Sequence, residues 1–197
     1  MVILGITGGI GCGKSYVSNL LKRQGAPVYN CDEAAKYIMS SDQQVIEQIK
    51  MLVGENAYLA DGQINKTTIG EFIFSSDENR LKLNAIVHPV VRQHFIGWTH
   101  SLNTPMAFVE CALLYESGFD DMVDKVVEVF ASEEVRIHRI IKRDKITRIQ
   151  ATERIKAQMS ETEKMKKADF CIINNGNMNV SRQIDRIVGH IFSSSVR

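Results

Sequence analysis

The sequence predicts an α/β protein: a mostly parallel five-stranded sheet flanked by helices, with a helical insertion and a helical lid. Three observations predict it. Short apolar, β-branched runs recur at "VILGIT" (2–7), "PVYN" (27–30), "MAFVEC" (106–111), "VVEVFA" (126–131) and "FCIIN" (170–174), with helical periodicity between them. Strand alternating with helix is the pattern of a parallel sheet covered on both faces. A glycine-rich stretch, "GGIGCGKS" (8–15), separates the first run from the first helix. Residues 32–104 hold no convincing strand, far more chain than one crossover needs.

The first unit is the clearest. In "KSYVSNLLKRQG", Val17, Leu20 and Leu21 share one face, and Gly25 is suited to close the helix. Beyond the second run the periodicity predicts helices over about 32–52, 66–75 and 78–100, with a turn at "LADGQ" (59–63). A basic helical stretch covers 133–158. A last helix near 178–193 sets Val180, Ile184, Ile187, Val188 and Ile191 at core-facing spacing. These readings divide the chain into a nucleotide-binding core (1–31, 105–135 and 159–197), an acceptor-binding insertion (32–104) and a lid (136–158).

Composition narrows the function. With 24 basic and 23 acidic residues the net charge is +1, which argues against a general nucleic-acid or membrane-surface binder. The four cysteines, Cys12, Cys31, Cys111 and Cys171, have no metal-site spacing and read as thiols of a reducing compartment. The first apolar run breaks at Gly8 without a basic leader, and no run approaches the length of a spanning helix, so a soluble cytoplasmic protein is expected. It is expected to act as a monomer or weak homo-oligomer, without nucleic-acid or membrane partners.

The glycines have a specific use. Gly8, Gly13, Lys14 and Ser15 fill every fixed position of G-x-x-x-x-G-K-[ST], between a buried strand and a helix. Glycines let such a loop curl with its N–H groups inward, and the helix N-terminus beneath adds positive potential for a polyphosphate. Gly9, Ile10, Gly11, Cys12, Gly13, Lys14, Ser15 and Tyr16 are the expected ATP contacts. Lys14 places a charge on the β- and γ-phosphates, and the Ser15 hydroxyl is the expected Mg²⁺ ligand. The dinucleotide pattern G-x-G-x-x-G fails, because Lys14 stands where its last glycine belongs. The inward amides also raise the idea of a low-pKa, oxidisable thiol at Cys12.

Nucleoside triphosphate binding leaves a kinase, a GTPase switch or a mechanical ATPase. No D-x-x-G occurs, and "NKTT" (65–68) lacks the aspartate of a guanine-reading motif. A mechanical ATPase usually needs a larger core. An enclosing insertion and lid suit a kinase, since closure excludes water. On the acceptor side, Asp32 follows the second run and reads either as the base for an attacking hydroxyl or as a helix cap. Glu110, ending the third run, suits a water-mediated hold on Mg²⁺; Glu116 suits a solvated or capping role. His88-Pro89 reads, on backbone chemistry alone, as a helix stop. Arg136, Arg139 and Arg143 recur at i, i+3 and i+7, with Lys142, Lys145 and Arg148 nearby, and could bring positive charge onto the transferring phosphoryl group. A nucleoside or sugar acceptor, or an NTP-dependent switch, remains open at this point.

In this order and spacing the motifs resemble the dephospho-coenzyme A kinase family over nearly the whole chain. The resemblance rests on "GITGGIGCGKS" (5–15), Asp32, "IVHP" (86–89), "LLYE" (113–116), "RIIKRD" (139–144), "RIKAQ" (154–158), and "AD" (168–169) followed by "NNG" (174–176). It implies a P-loop kinase fold and transfer from ATP to the ribose 3′-hydroxyl of dephospho-CoA. It implies Asp32 as base, Arg139 as a lid arginine, His88 and Lys66 as acceptor-side residues, and Asn175 near the adenine. Asn30, Asn65-Lys66, Ala112, Glu110 and Tyr16 depart from the usual family residues, which leaves the acceptor contacts around 65–66 least defined.

Overall fold

The computed structural model describes residues 1–194. Five strands, β1 (Val2–Thr7), β2 (Val28–Asn30), β3 (Met106–Glu110), β4 (Lys125–Phe130) and β5 (Phe170–Ile173), form one sheet in the order β2-β3-β1-β4-β5. β1 pairs in parallel with β3 and β4, and β4 with β5. The apolar runs therefore form strands as their composition requires, and β3 is buried along its whole length. β1 lies in the middle, so the loop leaving its carboxyl end sits where such sheets bind ligands, at the switch point in strand order. Leu4, Ile6, Val17, Leu21, Phe108, Val127, Val129, Ile172 and Ile184 make one core between sheet and helices.

Two compact units share the chain. Met1–Tyr29 joins the chain from Thr104 onward in the first, and Asn30–Asn103 forms the second. In the first unit, α1 (Lys14–Arg23) ends as its sequence foretells: Ala26 N–H bonds Leu21 O and Gly25 N–H bonds Lys22 O, the two hydrogen bonds of a Schellman closure. The basic stretch is two helices, α6 (Glu133–Asp144) and α7 (Arg148–Lys156). They part where Lys145 adopts φ 57°, a left-handed value no spacing rule flags. Another short helix, α8 (Glu161–Lys167), closes with β5 the path to α9 (Val180–Ser194). Residues 195–197 of the expected core lie outside the described residues.

In the second unit, the single helix expected over 32–52 is α2 (Cys31–Ser41) and α3 (Gln43–Val53). Asp42 divides them: its extended backbone ends α2, and its carboxylate accepts Val45 N–H at 3.1 Å to start α3. α4 (Lys66–Ser75) matches its predicted span, and "LADGQ" is the expected turn, closed by Leu59 N–H to Gln63 O at 2.8 Å.

The helix stop at His88-Pro89 is overturned. α5 runs unbroken from Asp77 to His100 with Pro89 inside it. Proline removes one hydrogen bond, but Leu83, Val87, Val91 and Phe95 repeat every four residues and are buried, and α5 packs on α2, α3 and α4. Burial of that stripe outweighs the proline cost of about 3 kcal/mol. No helix among the described residues is long and apolar enough to cross a membrane.

Phe95 is 1% exposed and Phe74 is 86% exposed. Phe95→Ala is expected to lower unfolding free energy by about 3–5 kcal/mol in urea titration, whereas Phe74→Ser should change it by less than about 0.5 kcal/mol.

Candidate active site: a phosphate loop clamped by its carbonyls

The loop from Gly8 to Gly13 connects β1 to α1, and its geometry is set by who holds its carbonyl oxygens. Lys14 Nζ donates to Gly8 O at 2.8 Å and Gly9 O at 3.4 Å. Arg136 Nε donates to Ile10 O at 2.9 Å. Arg139 Nη1 reaches Gly11 O (3.2 Å) and Cys12 O (3.1 Å), and its Nη2 reaches Asn174 O (2.9 Å). Asn174 Nδ2 adds a second donor to Cys12 O at 2.9 Å. In a trans peptide the C=O and N–H point opposite ways. Holding the Ile10 and Cys12 carbonyls therefore turns the amides of Gly11 and Gly13 away from the arginines. The Ile10 amide is itself held by Gln158 Oε1 at 2.7 Å.

α1 begins at the end of this loop with no side chain capping it, unlike α2, α3, α4 and α5. Tyr16 N–H already bonds Gly13 O at 3.1 Å, and the positive end of the helix dipole is left for an anion. Gly13 occupies the cap position at φ 95°, and a Cβ there would run into Asn174 Nδ2. Gly9 is demanded by close approach instead: a Cβ would strike the Arg136 guanidinium and the Glu161 carboxylate, which pair at 2.7 Å across it. Ser15 Oγ donates to Glu110 Oε1 at 2.8 Å. Glu110 is 6% exposed at the carboxyl end of β3, in register with Ile6. A hydroxyl and a carboxylate side by side are hard oxygen donors that fit Mg²⁺, which takes few protein ligands and fills its shell with phosphate and water. Tyr16 follows on α1 and is exposed.

The sequence-derived site residues fall into two groups. Gly9 to Tyr16, Glu110, Arg139 and Asn175 lie in the sheet-bearing unit. Asn175 Oδ1 accepts Ser132 N–H at 2.8 Å, which fixes the loop after β5. Asp32, Lys66 and His88 lie in the Asn30–Asn103 unit. Asp32 is exposed in the first turn of α2, and the capping alternative for it is overturned: Asn30 is the cap, accepting Glu33 N–H at 3.0 Å. Lys66 is exposed at the start of α4, which Asn65 caps through Thr68 N–H at 3.3 Å. His88 is half-buried on α5, and burial, then the nearby Arg92 charge, lower its pKa. At neutral pH it is an uncharged imidazole.

The three arginines at i, i+3 and i+7 diverge. Arg136 and Arg139 turn to the loop, while Arg143 pairs with Asp144 at 2.6 Å, a partner Arg154 shares. Arg148 pairs with Glu134. Glu116 is exposed, as the solvated reading expects, and is not a helix cap: it accepts Met159 N–H at 3.3 Å and stands 3.7 Å from Lys164 Nζ. The idea of an acidic Cys12 thiol is also overturned. Cys12 is fully buried, and desolvation raises its pKa more than Lys14 lowers it. Asn174, Gln158 and Glu161 escaped sequence reasoning. Only the motifs "NNG" and "RIKAQ" touched two of them, without the contact each makes.

The dephospho-CoA kinase family model matches residues 2–179. The chain belongs to the dephospho-CoA kinase family. A dephospho-CoA kinase of Bacteroides fragilis is 40% identical to this family member over 190 residues, 96% of this chain and 92% of that one. Among solved structures, a Thermus thermophilus protein superposes with a TM-score of 0.84 at 32% identity, covering 95% of both chains. The dephospho-CoA kinase of Campylobacter jejuni superposes with a TM-score of 0.72 at 26% identity, covering 98% of both. This member of the family is thus a P-loop kinase, with ATP the donor its family implies.

Gly13→Ala is expected to weaken ATP binding at least about tenfold, because a Cβ both strains the left-handed backbone and displaces Asn174 from the Cys12 carbonyl. Isothermal calorimetry measures this, with circular dichroism confirming that the fold persists.

Proposed function

We propose that this chain transfers the γ-phosphoryl group of ATP to the ribose 3′-hydroxyl of dephospho-CoA, giving coenzyme A and ADP. The observation that carries this reading is the family match over residues 2–179, which takes in both the phosphate loop and the helical unit bearing Asp32 and His88. The loop supports the donor half. Its free amides, the α1 dipole and Lys14 present positive potential to the triphosphate, and Arg139 adds charge beside the Gly11 and Cys12 peptides.

Ser15 and Glu110 would hold Mg²⁺, Ser15 directly and Glu110 through water. When bound, the ion would supply charge neutralisation to the phosphates. Asp32 orients the acceptor hydroxyl and accepts its proton as the oxygen attacks. Its exposed position in the first turn of α2 leaves the carboxylate available for that contact. His88, neutral at working pH, hydrogen-bonds the acceptor, and Lys66 offers charge to its phosphate groups. Asn175, on the loop after β5, borders the adenine. The protein acts as a monomer or weak homo-oligomer in the cytoplasm, with the small-molecule acceptor as its partner.

A coupled assay tests the reading through ADP release. Release is expected only when dephospho-CoA is present; equal release without it would remove the acceptor assignment. Asp32→Asn is expected to keep ATP affinity within about threefold while kcat falls about 10²- to 10⁴-fold. A near-native kcat would remove Asp32 as base.

A further inference from the structure

Behind the phosphate loop lies a group of buried charges that phosphoryl transfer does not explain. It holds two cations, Arg136 and Lys164, and two carboxylates, Glu128 and Glu161, with the exposed Glu116 at its edge. Arg136, 2% exposed, pairs with Glu161 at 2.7 Å. Lys164, wholly buried, stands 3.7 Å from Glu116. Glu128 on β4 is left over. It is 0% exposed, and neither of its oxygens meets a donor among the described residues.

Its surroundings decide its state. From α8 it faces Glu161 and Lys164, and from α1 it faces Lys14. Thr7 and Cys171 flank it in register on β1 and β5. Tyr115, after β3, also feels its charge, and Arg136 of α6 joins through Glu161. Lys14 is committed to Gly8 and Gly9, and Lys164 lies near Glu116. An ionised Glu128 would be a buried anion without a hydrogen-bond donor, beside another carboxylate. A proton relieves both penalties, because it removes the charge and turns the group into a donor toward Glu161.

We propose that Glu128 is a positioning residue that holds a proton at neutral pH and donates it in a hydrogen bond to Glu161, keeping Glu161 aimed at Arg136 and Arg136 on the loop. The relay runs from β4 through α8 to α6 and ends at Ile10 O, 2.9 Å from Arg136 Nε. It crosses Gly9, whose missing Cβ makes the room. Burial first, then the Glu161 charge, raise the Glu128 pKa to about 8, against the pull of Lys164 and Lys14. Loss of the proton sets two anions together and releases the grip on the loop.

The sign of the linkage follows. A triphosphate on the loop engages Lys14 and adds negative charge, so the bound state favours protonated Glu128 more than the free state does. Affinity is full below the free-state pKa and falls as pH rises through it. This inference rests on the reading of the loop as the ATP site, and the test separates the two. Calorimetry of Mg·ATP is run from about pH 7 to about pH 9.5 on the wild type and on Glu128→Gln, whose carboxamide keeps a donor but has no such proton to lose. Wild-type Kd is expected to rise about five- to tenfold across that range, and that of Glu128→Gln less than about threefold. Parallel profiles overturn the proposal. Infrared difference spectra between neutral and alkaline pH need no variant: wild type should lose the C=O stretch of a protonated carboxyl, and its absence at neutral pH overturns the proposal. If neither protein binds Mg·ATP at any pH, the functional reading fails, and the infrared band still decides whether the buried proton exists.

Discussion

The site depends on one constraint: the phosphate loop is held by its carbonyl oxygens. A loop this rich in glycine has many accessible conformations, and the sequence of the loop contains nothing that selects among them. Selection comes from outside. Arg136, Arg139 and Asn174 take the carbonyls of Ile10, Gly11 and Cys12, and Gln158 takes the Ile10 amide. The anion site is thereby organised before any phosphate arrives, which reduces the ordering cost of binding.

That arrangement gives the basic helices a double meaning. Positive charge after the fourth strand suggests cations brought onto a phosphoryl group. In the structure Arg136 and Arg139 act first as hydrogen-bond donors to backbone. The guanidinium suits this, since its fixed fork reaches three carbonyls at once, as Arg139 does, or a carbonyl and a carboxylate, as Arg136 does. Burying Arg136, Glu161, Lys164 and Glu128 together is poor economy for stability alone, because desolvation offsets most of the attraction between such charges. Their position directly behind Gly9 instead ties their geometry to the shape of the loop.

Two departures from the family's usual residues have a local explanation. Asn30 and Asn65, where the resemblance leads one to expect aspartates, each cap a helix through the side-chain oxygen. Asparagine and aspartate are nearly equivalent caps, so the exchange removes a charge and keeps the helix start. Pro89 shows the opposite relation between local rule and outcome. Its backbone chemistry disfavours helix, yet the buried stripe from Leu83 to Phe95 carries α5 through it.

By itself the sequence determined the five strands, most of the helices between them and the loop that holds phosphate. Those features are written in residues close along the chain: β-branched runs, apolar spacing, and glycines ahead of Lys14 and Ser15. Tertiary structure alone decided where two helices divide, at Asp42 and Lys145, and which side chains meet. Gln158 lies 148 residues from the amide it accepts, and Arg139 lies 127 from Cys12. Nothing in the residues between such partners signals the contact, because it exists only once the sheet has brought the ends of β1, β4 and β5 together.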